Sequence, residues 1–97
     1  MQINKDNLTI VIVTLKSDKV IHKCLKSIDP KIKKIIVENS YNERFIEDLK
    51  EKYNNIDCYL TGKNLGMGAG NNFGIKKSNT KFVMILNPDT ILNFDTL

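Results

Sequence analysis

This chain has no paired cysteines, a single arginine and no long apolar run, and each absence removes a class of protein. Cys24 and Cys58 stand far apart, with no CxxC pair and no Cys/His cluster, so a zinc module is excluded. Both lie among apolar neighbours and read as buried free thiols, as expected in a reducing cytosol. The run Leu8–Val13 is too short for a signal-sequence core or a membrane span. A soluble cytoplasmic protein is therefore expected, with peripheral attachment to the inner face of the membrane as its one contact with lipid. The net charge of +4 and the pI of about 9.1 raise the question of a nucleic-acid partner. Arg44 is the sole arginine, however, and stacking aromatics are sparse, so no nucleic acid is expected. Apart from Lys31, Lys33 and Lys34, the lysines are scattered along the chain and read as solvated faces. No internal repeat or low-complexity linker is present.

What remains is one small domain of 97 residues. Leu8–Thr14 is a β-branched run of the kind buried on both faces in parallel sheets. Helical spacing of Val20, Ile21, Cys24, Leu25 and Ile28 predicts a helix over 18–28, capped by Ser17 or Asp18 and stopped by Asp29-Pro30. Ile35-Ile36-Val37 centres a second strand that ends at Glu38. A helix over 43–53 follows, capped by Asn42, with acids early and lysines late to suit the helix dipole. Ile56–Leu60 is a third strand. The glycine-rich segment 66–70 reads as a loop, and its low helix propensity confines the third helix to Asn72–Lys77. Lys81–Leu86 is the fourth strand, ended by Asn87-Pro88. Strands alternating with helices over short connections imply right-handed crossovers and a parallel sheet with helices on both faces.

Such sheets bind ligands at the carboxyl ends of their strands. Three of those ends carry chemistry: Thr14-Leu15-Lys16, Glu38-Asn39-Ser40 and Asn87-Pro88-Asp89. If the first and fourth strands are neighbours, these groups share one crevice. Glycines let backbone N–H groups approach a phosphorylated ligand closely, and Asp89 offers a hard oxygen to Mg²⁺ or Mn²⁺. Each residue also has a plainer use. Glu38 is also what an exposed strand end looks like, Gly66, Gly68, Gly70 and Gly74 suit turns and close helix packing, and Asp89 suits an Asx turn. GMGAGN is not a dinucleotide fingerprint, because Asn71 stands where the last glycine is required and the segment follows the third strand. His22 and the Lys76-Lys77 pair read as structural or solvated.

The stretch NLGMGAGNNFGIKKSNTKFVMILNPD, Asn64 to Asp89, resembles the family 2 glycosyltransferases, in which NLGxxxGNNxG precedes a strand ending in LNPD. The resemblance reaches back to Leu8 and so covers nearly the whole chain. It implies the Rossmann-like nucleotide-binding half of a GT-A domain, α/β, with about four parallel strands in the order 3-2-1-4. It also implies sugar transfer, with inversion, from a nucleoside diphosphate-sugar donor to a glycan or lipid-linked acceptor in cell-envelope polysaccharide synthesis. The rhamnosyltransferase-like branch is the most similar, which points to dTDP-rhamnose. Carried over by position, Thr14 and Leu15 border the base, Glu38 accepts from its imide N–H, and Ser40 lies beside it. Asn64, Gly66, Gly70 and Asn72 belong to the glycine-rich donor segment, Asp89 binds metal and diphosphate, and Asn87 matches the first acid of the DxD-like motif. Leu15 replaces the family's usual Tyr or Phe, and Glu38 replaces Asp. No catalytic base is found after Asp95, so 1–97 is expected to be a truncated, inactive donor-binding part. Phe94 and Leu97 read as the first turn of a further helix, and a homodimer through the exposed fourth-strand edge is expected. The alternatives are a nucleotidyltransferase-like protein, whose glycine- and arginine-rich loop LKSDK does not supply, or a non-catalytic nucleotide-binding module.

Overall fold

Seven consecutive buried residues make β1 (Leu8–Thr14) the centre of the sheet in the computed structural model, which describes residues 2–93. Around it the chain runs α1 (Ile21–Lys26), β2 (Lys33–Glu38), α2 (Glu43–Lys52), β3 (Ile56–Leu60), α3 (Met67–Lys77) and β4 (Phe82–Leu86). All pairings are parallel and the strand order is β3-β2-β1-β4, as expected. β1 lies between β2 and β4, with α1 and α2 over one face and α3 over the other, so its side chains meet protein on both faces. That is why its sequence shows no polar alternation.

The two faces differ. Leu8, Ile10 and Ile12 of β1 and Ile36 of β2 pack against Ile21, Cys24 and Leu25 of α1 and Phe45, Ile46 and Leu49 of α2. On the other face Val11, Val13, Ile35 and Val37 form a thinner layer beneath Phe73 of α3. This layer is thin because α3 approaches the strands closely. A Cβ on Gly74 would lie 2.3 Å from Val11 Cγ1, and one on Gly70 would lie 2.9 Å from Val13 Cγ1. Both distances are below van der Waals contact, so glycine is required at these two helical positions.

Two elements differ from the sequence reading. Helix α3 begins at Met67 rather than Asn72, so the glycine-rich segment is helical and not a loop. Propensity disfavours glycine inside a helix by about 1 kcal/mol per residue, but close packing on the valines of β1 and β2 outweighs it here. Helix α1 is shorter than expected. Asp18–Val20 form a turn closed by the N–H groups of Val20 and Ile21 on Ser17 O, and no side chain caps the helix. The Ser17 hydroxyl is already bonded to the N–H (3.1 Å) and carbonyl (3.3 Å) of Leu15. At α2 the expected cap is present, Asn42 Oδ1 accepting from Phe45 N at 3.2 Å. The expected turn at Phe94 and Leu97 lies outside the described residues.

The glycine contacts yield a stability test. Gly74→Ala is expected to destabilise the domain by about 1–3 kcal/mol through overpacking against Val11 and Val37. Gly68→Ala, where a Cβ meets nothing within 4 Å, is expected to be neutral or stabilising. Urea unfolding of the two variants measures the contrast, and a Gly74→Ala protein as stable as the parent would remove the close-packing account of α3.

Candidate functional site

Parallel register sets Thr14 opposite Glu38 at the carboxyl ends of β1 and β2. The Thr14 hydroxyl donates to Glu38 Oε1 at 2.7 Å, and the Ser40 hydroxyl donates to Glu38 Oε2 in a short bond. Glu38 is 2% exposed and Thr14 fully buried, so Glu38 is not the exposed strand end that its position alone suggests. Among the described residues no cation pairs with this carboxylate. A buried carboxylate is tolerated when hydrogen bonds replace its water, and the two hydroxyls do this. Each oxygen keeps a further acceptor lobe.

Thr14 also forms part of a crevice of about 180 Å³, with Val13, Leu15, Asn39, Asn64, Met67 and Pro88 among its walls. The crevice lies between the ends of β1 and β4 and the start of α3. Hollows of about 450 and 390 Å³ occur at the opposite end of the sheet and contain none of the strand-end residues. We place the site at the smaller crevice because Thr14, Leu15 and Asn64 line it, with Glu38 bonded to Thr14 and Asp89 next to Pro88 at its margin.

Asn39, assigned no role in the sequence reading beyond its place at the end of the second strand, ties the site together. It is 3% exposed. Its N–H donates to Thr14 O at 2.8 Å, its Nδ2 to Gly66 O at 3.0 Å, and its Oδ1 accepts from Thr61 Oγ1 at 3.0 Å. The ends of β1, β2 and β3 and the start of α3 are thus joined through one residue. Gly66 has φ of 86°, a left-handed conformation suited to glycine, and its N–H donates to Asn64 Oδ1 at 2.9 Å. No side chain caps α3 beyond it, so the first N–H groups of the helix are open to a ligand. Gly70 is buried behind Asn39 and Val13, whereas Asn72 is exposed on α3.

Asn87 and Asp89 lie in an exposed turn after β4, closed by Thr90 N on Asn87 O at 3.0 Å. Cys24 sits beneath this turn, its Sγ 3.8 Å from Asn87 O. Burial, with the Asp89 charge added, pushes the Cys24 thiol up to about 11. Cys58 is raised to about 11, again chiefly by burial, so both cysteines stay protonated at neutral pH. No group of three or more His, Cys, Asp or Glu side chains among the described residues is placed to hold a metal. Asp89 and Asn87 can offer only a partial, all-oxygen set. That suits Mg²⁺ or Mn²⁺, which take one or two protein carboxylates when a substrate phosphate supplies further ligands. Tyr41 is another residue that the sequence reading passed over. It is 80% exposed just past the end of β2, with its ring edge against Gly62.

The open parallel sheet in the order 3-2-1-4 with its helices is an α/β, Rossmann-like fold that matches the fold of GT-A glycosyltransferases. The chain belongs to Glycosyl transferase family 2, whose sequence profile matches residues 9–97. It is 32% identical over 94 residues to the low-salt glycan biosynthesis hexosyltransferase Agl10 of Haloferax volcanii. That alignment covers 91% of this chain and 29% of the hexosyltransferase. Crystal structures of S. aureus TarS share the fold, with TM-scores of 0.75 for one chain and 0.76 for residues 1–349, at 19% identity. Each covers 93% of this chain, corresponding to 18% and 29% of the TarS chains.

The carboxylate cluster yields its own test. Thr14→Val keeps the side-chain shape but deprives buried Glu38 of a hydroxyl donor, and is expected to cost about 1.5–3 kcal/mol. In a Glu38→Gln background the same change is expected to cost much less. A double-mutant cycle by denaturant unfolding measures the coupling, and two additive substitutions would show that the bond carries no stability.

Proposed function

We propose that this chain binds a nucleoside diphosphate-sugar and is the donor-binding part of an enzyme that transfers the sugar, with inversion, to a glycan or lipid-linked acceptor. The observation that carries this reading is the junction of Thr14, Glu38 and Ser40 beside the crevice, in a chain of this family. The base lies across the ends of β1 and β2, bordered by Thr14 and Leu15. Its imide N–H is directed to the spare acceptor lobes of Glu38, beside Ser40. Tyr41 offers an aromatic face at that end, where Leu15 has none. The diphosphate lies over the start of α3, where Asn64, Gly66, Gly70 and Asn72 shape the helix end. Asp89, with Asn87, holds the Mg²⁺ or Mn²⁺ ion. Bound there, the metal offsets negative charge on the leaving diphosphate. The similarity to a hexosyltransferase supports a hexose donor, for which dTDP-rhamnose is our specific proposal.

We place the protein in the cytoplasm, peripheral to the inner face of the membrane, in cell-envelope polysaccharide synthesis. Among the described residues no helix is long and apolar enough to cross a bilayer.

Calorimetric titration of UDP and dTDP, with and without Mg²⁺ or Mn²⁺, tests the donor site. Weak, metal-dependent binding is expected, and Asp89→Ala is expected to lower affinity at least tenfold, on the order of the 1.4 kcal/mol that one lost ligand represents. Binding indifferent to both metal and Asp89 would overturn the metal assignment. Sugar transfer is expected to be absent from residues 1–97 and present in a protein of the relatives' length. Transfer by the short chain at the longer protein's rate would place acceptor and base within this domain.

The outer edge of β4 has no strand partner among the described residues, and Ile85 beside it is 41% exposed. An unpaired edge of this kind is a template for strand addition, and we propose a two-fold homodimer through it. Sedimentation at several concentrations is expected to show a dimer that Ile85→Lys dissociates. A monomer throughout the range would show the edge to be protected.

A further inference from the structure

In a parallel sheet each helix runs back against the strands, so helix carboxyl ends and strand amino ends gather at the same edge. In this chain that edge collects lysine. The last turns of α2 and α3 carry Lys50, Lys52, Lys76 and Lys77. The chain enters β2 and β4 through Lys33 and Lys81. These segments meet in space: Asn55, after α2, donates to Pro30 O at 3.0 Å, and Lys33 Nζ lies 3.5 Å from Asn79, after α3. Acids here are fewer. Asp29 is engaged by Lys5 at 2.6 Å and Asp48 by Lys52 at 3.2 Å, and Asp6, Glu51 and Asp57 are exposed, which leaves Lys31, Lys33, Lys50, Lys76, Lys77 and Lys81 in excess. Lysines that look scattered in the sequence therefore form one basic face at the foot of the sheet. Glu38 and Asp89 lie at the opposite end.

Each helix-end lysine is favoured singly by the helix dipole. Their sum has a further consequence, because a face of one sign attracts a surface of the other. We propose that this foot is a docking face for an anionic phospholipid bilayer. The cations are lysines, compact charges suited to attraction by a surface rather than to the forked recognition that arginine gives nucleic-acid bases. Among the described residues the foot offers no open stacking platform for bases. Tyr53 is hydrogen-bonded to His22 at 2.6 Å, and the Tyr59 ring lies beneath Lys77 Nζ at 5.3 Å. It does have an exposed apolar side chain, Ile3, beside Lys5 and Lys31, and basic charge around an apolar contact is the combination that holds proteins at lipid interfaces. The proposal refines the peripheral membrane placement given above and directs the crevice away from the bilayer.

Two triple variants of equal charge change test it. Lys31, Lys76 and Lys81, all exposed at the foot, are changed to Glu in one; Lys16, Lys19 and Lys63, exposed outside the foot, are changed to Glu in the other. Both are checked for parental thermal unfolding. Binding is read by co-sedimentation with vesicles of phosphatidylcholine alone and with added phosphatidylglycerol, over a range of salt. The parent is expected to bind only the anionic vesicles and to release at high salt. The foot variant is expected to lose about tenfold or more in binding, and the other to keep most of it. Equal loss in both would show that net charge alone matters and would overturn the docking face. Absence of parental binding, or tighter foot-dependent binding to an oligonucleotide, would overturn the lipid assignment. The foot variant is expected to titrate nucleotide like the parent, so failure of this face and failure of the donor site register separately.

Discussion

The site depends on how closely α3 lies on the sheet. With no Cβ at Gly70 and Gly74, the helix backbone settles onto Val11, Val13 and Val37. That depth brings Gly66 O within reach of Asn39 Nδ2 and makes Met67 and Asn64 the wall facing Leu15. A helix standing off by one methyl layer would lift its amino end from Asn39 and open the crevice. Glycines that suggest a phosphate-binding loop in the sequence thus act first through packing. Any contact they make with a donor follows from the helix position that this packing sets.

Much of the fold was legible because its signals are local. The unbroken β-branched run of β1, the Asn87-Pro88 stop after β4, and Asn42 ahead of an amphipathic segment are each decided by neighbouring residues. The start of α3 was not legible, since propensity counts glycine against a helix and cannot see the valines that favour it. The shortened α1 was missed for a related reason: whether Ser17 caps a helix or binds Leu15 depends on the turn geometry after β1. At the site, the pairing of Thr14 with Glu38 follows once the strand order is known. Asn39 received no role and Thr61 was passed over because their partners belong to distant segments, and a residue that bonds three of them carries no local pattern. The lysine face was likewise hidden, since only the antiparallel return of each helix gathers residues so far apart in sequence.

The strand ends beside the crevice carry two kinds of carboxylate. Glu38 is buried, spanned by two hydroxyls and fixed in place, which suits a group that reads a hydrogen-bond pattern. Asp89 is exposed on a turn and makes no recorded bond, which suits a group that exchanges water for a metal and its phosphate ligands. Under the proposed function, a fixed and an adaptable carboxylate at two strand ends would divide recognition of the donor between its base and its diphosphate.

The position of β1 also bears on how the chain is made. It is synthesised first, and β2 and β3 can pair on one side of it as soon as they emerge. Its other neighbour, β4, is the last strand to be made. From Leu60 to Leu86 the ribosome needs roughly one to five seconds at ordinary rates of about 5–20 residues per second. Throughout that interval the most buried strand of the domain has one flank of its backbone unpaired. Nascent chains in this window are the natural substrates for a holdase, and slow codons between α3 and β4 would lengthen their exposure.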